Sequence, residues 1–211
     1  VICHAPYIIN LANRENEMSW NFSCAFLKQE IARISEMGVN FIVVHPGNSL
    51  KINRDVAIDN IASAINLIID ENTKPMILLE TMAGKGTECG INILEIKSIL
   101  DKIVLKNKVG VCIDTCHLND SGVDISKFLD YLKEFDNVIG ITNIKCIHLN
   151  DSKNEIGARK DRHENIGYGT IGFDNLIKVS YLDKLKDVPK ILETPYIKEN
   201  PPYKFEIEMI K

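Results

Sequence analysis

No stretch of the 211-residue sequence approaches the roughly 18 uncharged apolar residues that a membrane-spanning helix requires, and no signal peptide opens it. The expectation is a soluble, intracellular, cytoplasmic protein with no membrane partner. The six cysteines (Cys3, Cys24, Cys89, Cys112, Cys116 and Cys146) include no CxxC pair, and four lie inside or beside apolar runs. At this length that pattern predicts buried reduced thiols and argues against a disulfide framework. Linkers rich in Pro, Gly or Ser and low-complexity tracts are lacking, so residues 1–211 are expected to form a single domain. Basic charge is not in excess either: 25 Lys and Arg against 29 Asp and Glu give a net charge of −4. Gly84, Gly86 and Gly90 have the look of a phosphate loop, but no GK[ST] ending follows them, which excludes a Walker reading and leaves turns.

What is present is a repeated strand, loop and helix. With 45% hydrophobic residues the chain can bury a large core. Strands are predicted near 1–4, 40–45, 76–80, 109–114, 145–149 and 189–193. Helical patterns lie between and after them, near 20–37, 54–71, 90–105, 124–136 and 172–184. The second helix shows the quality of the signal: Val56, Ile58, Ile61, Ala62, Ile65, Ile68 and Ile69 recur at helical spacing, with Asp55, Asp59, Asn60, Asn66 and Asp70 between them. The strands are apolar throughout, as expected when helices cover both faces of a parallel sheet. The reading is an α/β protein, a TIM (β/α)8 barrel with about six βα units, N-terminally incomplete because a closed barrel has eight. The opening Val1 falls within a strand, so the chain is expected to be a segment of a longer product. Residues 149–171 form the longest irregular stretch, and loops of that size are usually functional or disordered.

Histidines and carboxylates cluster at the strand ends. His4 follows VIC, His45 follows NFIVV, Glu80 follows PMILL, Asp114 and His117 close VGVCIDTCH, His148 follows KCI, and Glu193 follows PKIL; Asp161 and His163 stand in the DRH segment of the long loop. In a parallel α/β barrel the carboxyl ends of the strands converge on one mouth, where active sites of that fold lie. A single His, Asp or Glu in such a place is more often a structural residue. Nine together, imidazole and carboxylate in type, predict one polynuclear metal site of hydrolytic and not structural kind. Asn150 and Asp151, beside His148, are read as residues that hold ligands or fix the loop.

The segments HAPYIINLA, VVHPG, LLETMAGKGTECG, GVCIDTCHLNDSG, IHLNDSKNEIGARKDRHENIGYGTIG and ILETP resemble, in order from residue 1 to about 196, the successive signatures of endonuclease IV, the zinc-dependent apurinic/apyrimidinic endonuclease family. HPG alone carries almost nothing; GVCIDTCH with DRH and HLND is specific. The resemblance implies the third to eighth βα units of that barrel and three Zn²⁺ ions, with Mn²⁺ an alternative at one position. His4, His45 and Glu80 would hold the first ion. Glu80 would bridge to a second, held also by Asp114, His148 and Glu193, and the third would take His117, Asp161 and His163.

The activity so implied is DNA repair. A hydroxide held between the first two zincs would cleave the phosphodiester 5′ to an abasic site in duplex DNA, leaving a 3′-hydroxyl and a 5′-deoxyribose phosphate, with Glu80 also influencing that hydroxide. The family's pair of inserting side chains corresponds to Tyr7 and Ile8, which on the residues alone could equally cap the barrel core. Lys153, Arg159, Lys160 and Arg162 would give the long loop a basic rim, and three divalent ions would bring the loaded chain to about +2. The protein is expected to act as a monomer. Two other classes fit the residues: a divalent-metal sugar isomerase or epimerase on the same barrel, and a non-catalytic zinc- or DNA-binding remnant.

Overall fold

The computed structural model describes all residues 1–211, and the chain divides into two compact units. The first comprises residues 1–82 and 86–112, the second residues 83–85 and 113–211.

In the first unit the order is β1 (Cys3–His4), α1 (Glu17–Glu36), β2 (Phe41–Val44), α2 (Arg54–Ile68), β3 (Met76–Glu80), α3 (Ile93–Asp101) and the start of β4 (Val109–Asp114). The four strands pair in parallel, with Cys3 opposite Ile42, Ile42 opposite Ile77 and Ile77 opposite Val109. This register sets His4 beside Val43 and Glu80 beside Cys112, so the polar residue closing each strand reaches the same edge of the sheet. Asparagines start all three helices: Asn16 accepts from the Ser19 amide, Asn53 from Asp55 and Val56, and Asn92 from Glu95. Trp20, Cys24, Leu27, Ile31 and Ile34 recur at helical spacing on the buried face of α1. Arg54 clamps the Glu95 carboxylate through two nitrogens at 2.9 and 3.0 Å and donates to the Thr87 carbonyl at 3.0 Å, tying α2 to the loop before α3.

In the second unit β4 ends and α4 (Thr115–Ser121) begins without a connecting residue, capped by the Asp114 side chain and stopped by Gly122 at φ 114°. There follow α5 (Phe128–Val138), β5 (Ile144–His148), β6 (Asp151–Ser152), β7 (His163–Glu164), α6 (Phe173–Ser180), β8 (Lys190–Ile191) and α7 (Tyr203–Ile210). β5 pairs in parallel with β8, His148 lying opposite Ile191. β1 to β5 and β8 supply the strands of six βα units, the TIM-barrel alternation that the sequence predicts.

Three features depart from the sequence reading. The stretch 149–171 is not wholly irregular: β6 and β7 form a small antiparallel pair, Ser152 opposite His163. Two-residue strands are too short to show an alternation. Helix α4 reads in the sequence only as the end of a strand motif, because six of its seven residues are buried and no amphipathic stripe marks it. The third is α7, which follows two prolines and lies beyond the last predicted element. All six cysteines are free, five of them buried. No helix is long and apolar enough to cross a membrane.

The loop after β7 is anchored by one carboxylate. Asp151, fully buried, accepts from the amides of Ser152, Gly167, Gly169, Ile171 and Gly172 at 2.8–3.3 Å. This is the loop-fixing role read for Asp151. A Cβ at Gly169 would lie 2.3 Å from the Ser152 carbonyl oxygen, which accepts the Thr170 amide, and 2.4 Å from Asp151 Oδ1, fixed by the bonds above. Gly169→Ala is expected to cost about 2–3 kcal/mol of stability by overpacking. Urea unfolding measures it, and a midpoint equal to that of the unaltered protein would contradict the anchoring.

Candidate metal centre

In the first unit two imidazoles converge on one carboxylate oxygen. His4 Nε2 lies 2.9 Å and His45 Nε2 3.1 Å from Glu80 Oε2, and Glu80 is fully buried. β1 and β3 place His4 and Glu80 at their carboxyl ends, and His45 directly follows β2. The tautomer of His4 follows from its other nitrogen. Nδ1 sits 2.7 Å from the Ala5 carbonyl, which can only accept, so Nδ1 carries the proton. In a neutral ring Nε2 then turns a lone pair toward the Glu80 carboxylate, an arrangement that needs a cation or a second proton between the two.

The second unit holds two further groups of imidazole and carboxylate. His148 Nδ1 lies 3.1 Å from Glu193 Oε2 and 3.8 Å from Asp114 Oδ2, and the ligand atoms of Asp114, His148 and Glu193 all fall within 4.8 Å of one another. His117 Nε2 lies 3.0 Å from Asp161 Oδ1, and His163 completes a second group of the same tightness with these two. His163 Nδ1 donates to the Glu193 carbonyl at 3.1 Å. Its Nε2, 3.6 Å from Asp114 Oδ2 and 3.7 Å from Asp161 Oδ1, is buried and has no hydrogen-bond partner. A buried imidazole nitrogen left without a partner between two carboxylates costs free energy that a metal ion would recover. The donors are imidazole and carboxylate throughout, the set that suits zinc at an open, catalytic site. The residues present therefore fit metal ions.

Local structure explains why these side chains are held. Asp114 Oδ1 accepts the His117 amide at 2.7 Å as the cap of α4, leaving Oδ2 for the centre. Asn150 joins two of the acids: its Nδ2 donates to Asp114 Oδ2 at 2.7 Å and its Oδ1 accepts the Glu193 amide at 2.8 Å. That is the ligand-holding place read for it from the sequence. The Thr115 hydroxyl ties α4 to the end of β5, donating to the Asn150 carbonyl at 2.6 Å. Cys116 also falls near Asp114 and His163. Burial, with the Asp114 charge, pushes its thiol far above the ordinary range.

Each residue singled out in the sequence has a definite place. The nine candidate ligands fall into His4–His45–Glu80, Asp114–His148–Glu193 and His117–Asp161–His163. Tyr7 and Ile8 are strongly exposed, so neither caps the core, and the Tyr7 ring stands 5.2 Å from that of His45. Arg159 and Arg162 are exposed on the loop that carries Asp161. Sequence reasoning missed two residues beside the centre. Lys85 is near enough for its charge to act on Asp161, and Asp120 is a buried acid bonded to the Asp161 amide at 2.9 Å. Lys85 sits in a glycine-rich turn that reads as a turn only, and nothing in the spacing of Asp120 sets it apart from a capping or loop residue.

The match to the family of xylose isomerase-like TIM barrels covers residues 1–211. A "probable endonuclease 4" of Acholeplasma laidlawii is 52% identical over the whole chain, which spans 72% of that relative. Among solved structures, endonuclease IV from Thermus thermophilus is 29% identical with a TM-score of 0.84, covering 99% of this chain and 73% of its own. A D-tagatose 3-epimerase-like protein, 23% identical with a TM-score of 0.72, covers 99% of this chain and 77% of its own, and shares the fold.

The electrostatics of the third group can be read by titration. Burial pushes the Asp161 carboxyl up, but the His117 hydrogen bond and the charges of His117, His163 and Lys85 outweigh it and hold the group at about 2, below its ordinary 3.8. A depressed carboxylate stabilises the fold fully above its unfolded value and loses that contribution as pH falls through its folded value. In chelated protein, stability is expected to fall between pH 4 and 2 more steeply for the unaltered chain than for Asp161→Asn. Urea unfolding across that range is the check, and equal slopes would contradict the assignment.

Proposed function

Because the chain belongs to the endonuclease IV family of xylose isomerase-like TIM barrels, we propose that it is a DNA-repair hydrolase cutting the phosphodiester bond on the 5′ side of abasic sites in duplex DNA. The observation that carries this reading is the third group, His117, Asp161 and His163, with its buried and unpartnered His163 Nε2. Two groups would suffice for a two-ion site; the third agrees with the three-zinc reading of the family resemblance. Zinc ions bound to these groups would supply positive charge to the phosphodiester oxygens and make water a competent nucleophile near neutral pH.

The chain's own residues have separable tasks in this proposal. His4 and His45 offer Nε2, with the Ala5 carbonyl fixing the His4 tautomer. Glu80, which the resemblance makes a bridging ligand, offers the carboxylate oxygen on which both rings converge. Asn150 holds the Asp114 carboxylate and the backbone amide of Glu193, which limits reorganisation there during reaction. A water oxygen forms the new bond to phosphorus while the bond from phosphorus to the 3′ oxygen breaks. The departing oxygen takes up a proton, giving a 3′-hydroxyl and a 5′-deoxyribose phosphate.

Substrate selection in this reading needs no base code, because a nucleotide without a base is easily unstacked and turned into a pocket. The exposed pair Tyr7 and Ile8 would enter the gap in the duplex, and Arg159 and Arg162 would meet phosphates. Net acidity is no obstacle, since the ions would concentrate positive charge where the phosphodiester lies. The epimerase-like neighbour is evidence for the fold alone.

A labelled duplex with one tetrahydrofuran abasic analogue tests the proposal, because that analogue cannot undergo β-elimination and any cut is hydrolytic. Zinc-dependent incision on its 5′ side is expected, lost on chelation. Glu80→Ala and His163→Ala are each expected to lower the rate by at least about 100-fold. No incision by the zinc-loaded protein, or near-normal turnover in either variant, would overturn it.

A further inference from the structure

Asp120 is fully buried at the end of α4, and each of its side-chain bonds comes from a neutral donor. Oδ1 accepts the Ser152 hydroxyl at 2.6 Å and the Asn119 amide group at 3.2 Å; Oδ2 accepts Asn154 Nδ2 and the Asp161 amide, both at 2.9 Å. The surrounding backbone follows the same line. The Gly157 amide donates to the Asn119 carbonyl and the Arg159 amide to the Asp120 carbonyl, each at 2.9 Å. Alternate residues 157, 159 and 161 are thus pinned to one end of a helix.

What this lattice holds is strained. Arg159 and Asp161 adopt φ of 54° and 56°, left-handed backbone that non-glycine residues rarely take and that persists only where the surroundings over-determine it. The outcome of that geometry is Asp161 Oδ1 at 3.0 Å from His117 Nε2 and 3.7 Å from His163 Nε2. His117 lies on the same helix as Asp120, three residues earlier. One helical turn therefore provides both a member of the group and the acid that seats a second member against it.

We propose that Asp120 is a positioning residue for the third metal position, seating Asp161 by holding its backbone amide and completing the site of His117, Asp161 and His163. The proposal rests on the metal reading above and adds to it a residue that touches neither ion nor DNA. Geometry, not charge, carries the effect. In Asp120→Asn the amide oxygen can still take the Asp161 and Asn154 donors, while its NH2 meets a Ser152 hydroxyl that can turn a lone pair to it, and only the long bond from Asn119 is lost. In Asp120→Ala nothing takes the Asp161 amide.

The test is zinc content after dialysis, read by elemental mass spectrometry with Zn²⁺ as the probe, and zinc affinity by calorimetric titration. Asp120→Ala is expected to retain one ion fewer than the unaltered protein, a single site loosened by about 10- to 100-fold with the others unchanged, and Asp120→Asn to restore the full count. Should Asp120→Ala not fold, Asn154→Ala, which removes one of the two donors on Oδ2 and leaves the buried position filled, is expected to weaken the same single site several-fold by loosening the oxygen that holds the Asp161 amide. A full complement in the Ala variants, an equal weakening of all sites, or failure of Asn to restore the count would overturn the proposal. Tetrahydrofuran incision measured on the same samples separates the two readings. Zinc uptake without incision by the unaltered protein sinks the nuclease assignment and leaves Asp120 judged by its zinc counts, whereas absence of zinc uptake overturns both.

Discussion

Acceptor facing acceptor is the constraint on which the rest of the structure depends. Glu80 is buried with two imidazole nitrogens on one of its oxygens, and His163 turns an unpartnered nitrogen toward two carboxylates. Burying such groups without a compensating cation is unfavourable, and the fold holds them there with carbonyls and amides that take up the other side of each ring or acid. The Ala5 carbonyl does this for His4, the Glu193 carbonyl for His163 and the His117 amide for Asp114. In the proposed reading, local stability is given up to keep these donors ready for positive charge, and the apolar strands around them supply the rigidity.

The parallel register turns this local chemistry into a site. Because β1, β2 and β3 run level, a polar residue at the close of each strand meets its neighbours at the same edge, and no long side chain has to reach across. In the second unit the same economy appears as a direct passage from strand to helix. Asp114 caps α4 and faces the centre with its other oxygen, while α4 brings His117 in its first turn and Asp120 at its end.

Much of this was legible in the sequence. Residues such as Ile61, Ile65 and Ile68 announced α2 by their period, and runs such as MILLE and VGVCID announced strands buried on both faces. The candidate ligands stood out because most of them are a carboxylate or imidazole closing an apolar run, as Glu80 closes PMILL. Helix α4 was not, since a helix buried nearly all round has no polar stripe, and neither was the β6–β7 pair, whose strands hold two residues each. Lys85 and Asp120 escaped for a different reason. Their importance lies in contacts with Asp161, 76 and 41 residues away in sequence, which no local pattern records. The exposure of Tyr7 and Ile8 likewise depends on the fold, because their spacing fits a core cap as well as a protruding pair.

Crystals of the zinc-loaded protein, with anomalous differences collected on both sides of the zinc absorption edge, test the central claim most directly. The account predicts edge-specific peaks at roughly 2.0–2.2 Å from the imidazole nitrogens and carboxylate oxygens of all three groups, including one against His163 Nε2. Absence of a peak beside His163, with zinc held elsewhere or not at all, would contradict it.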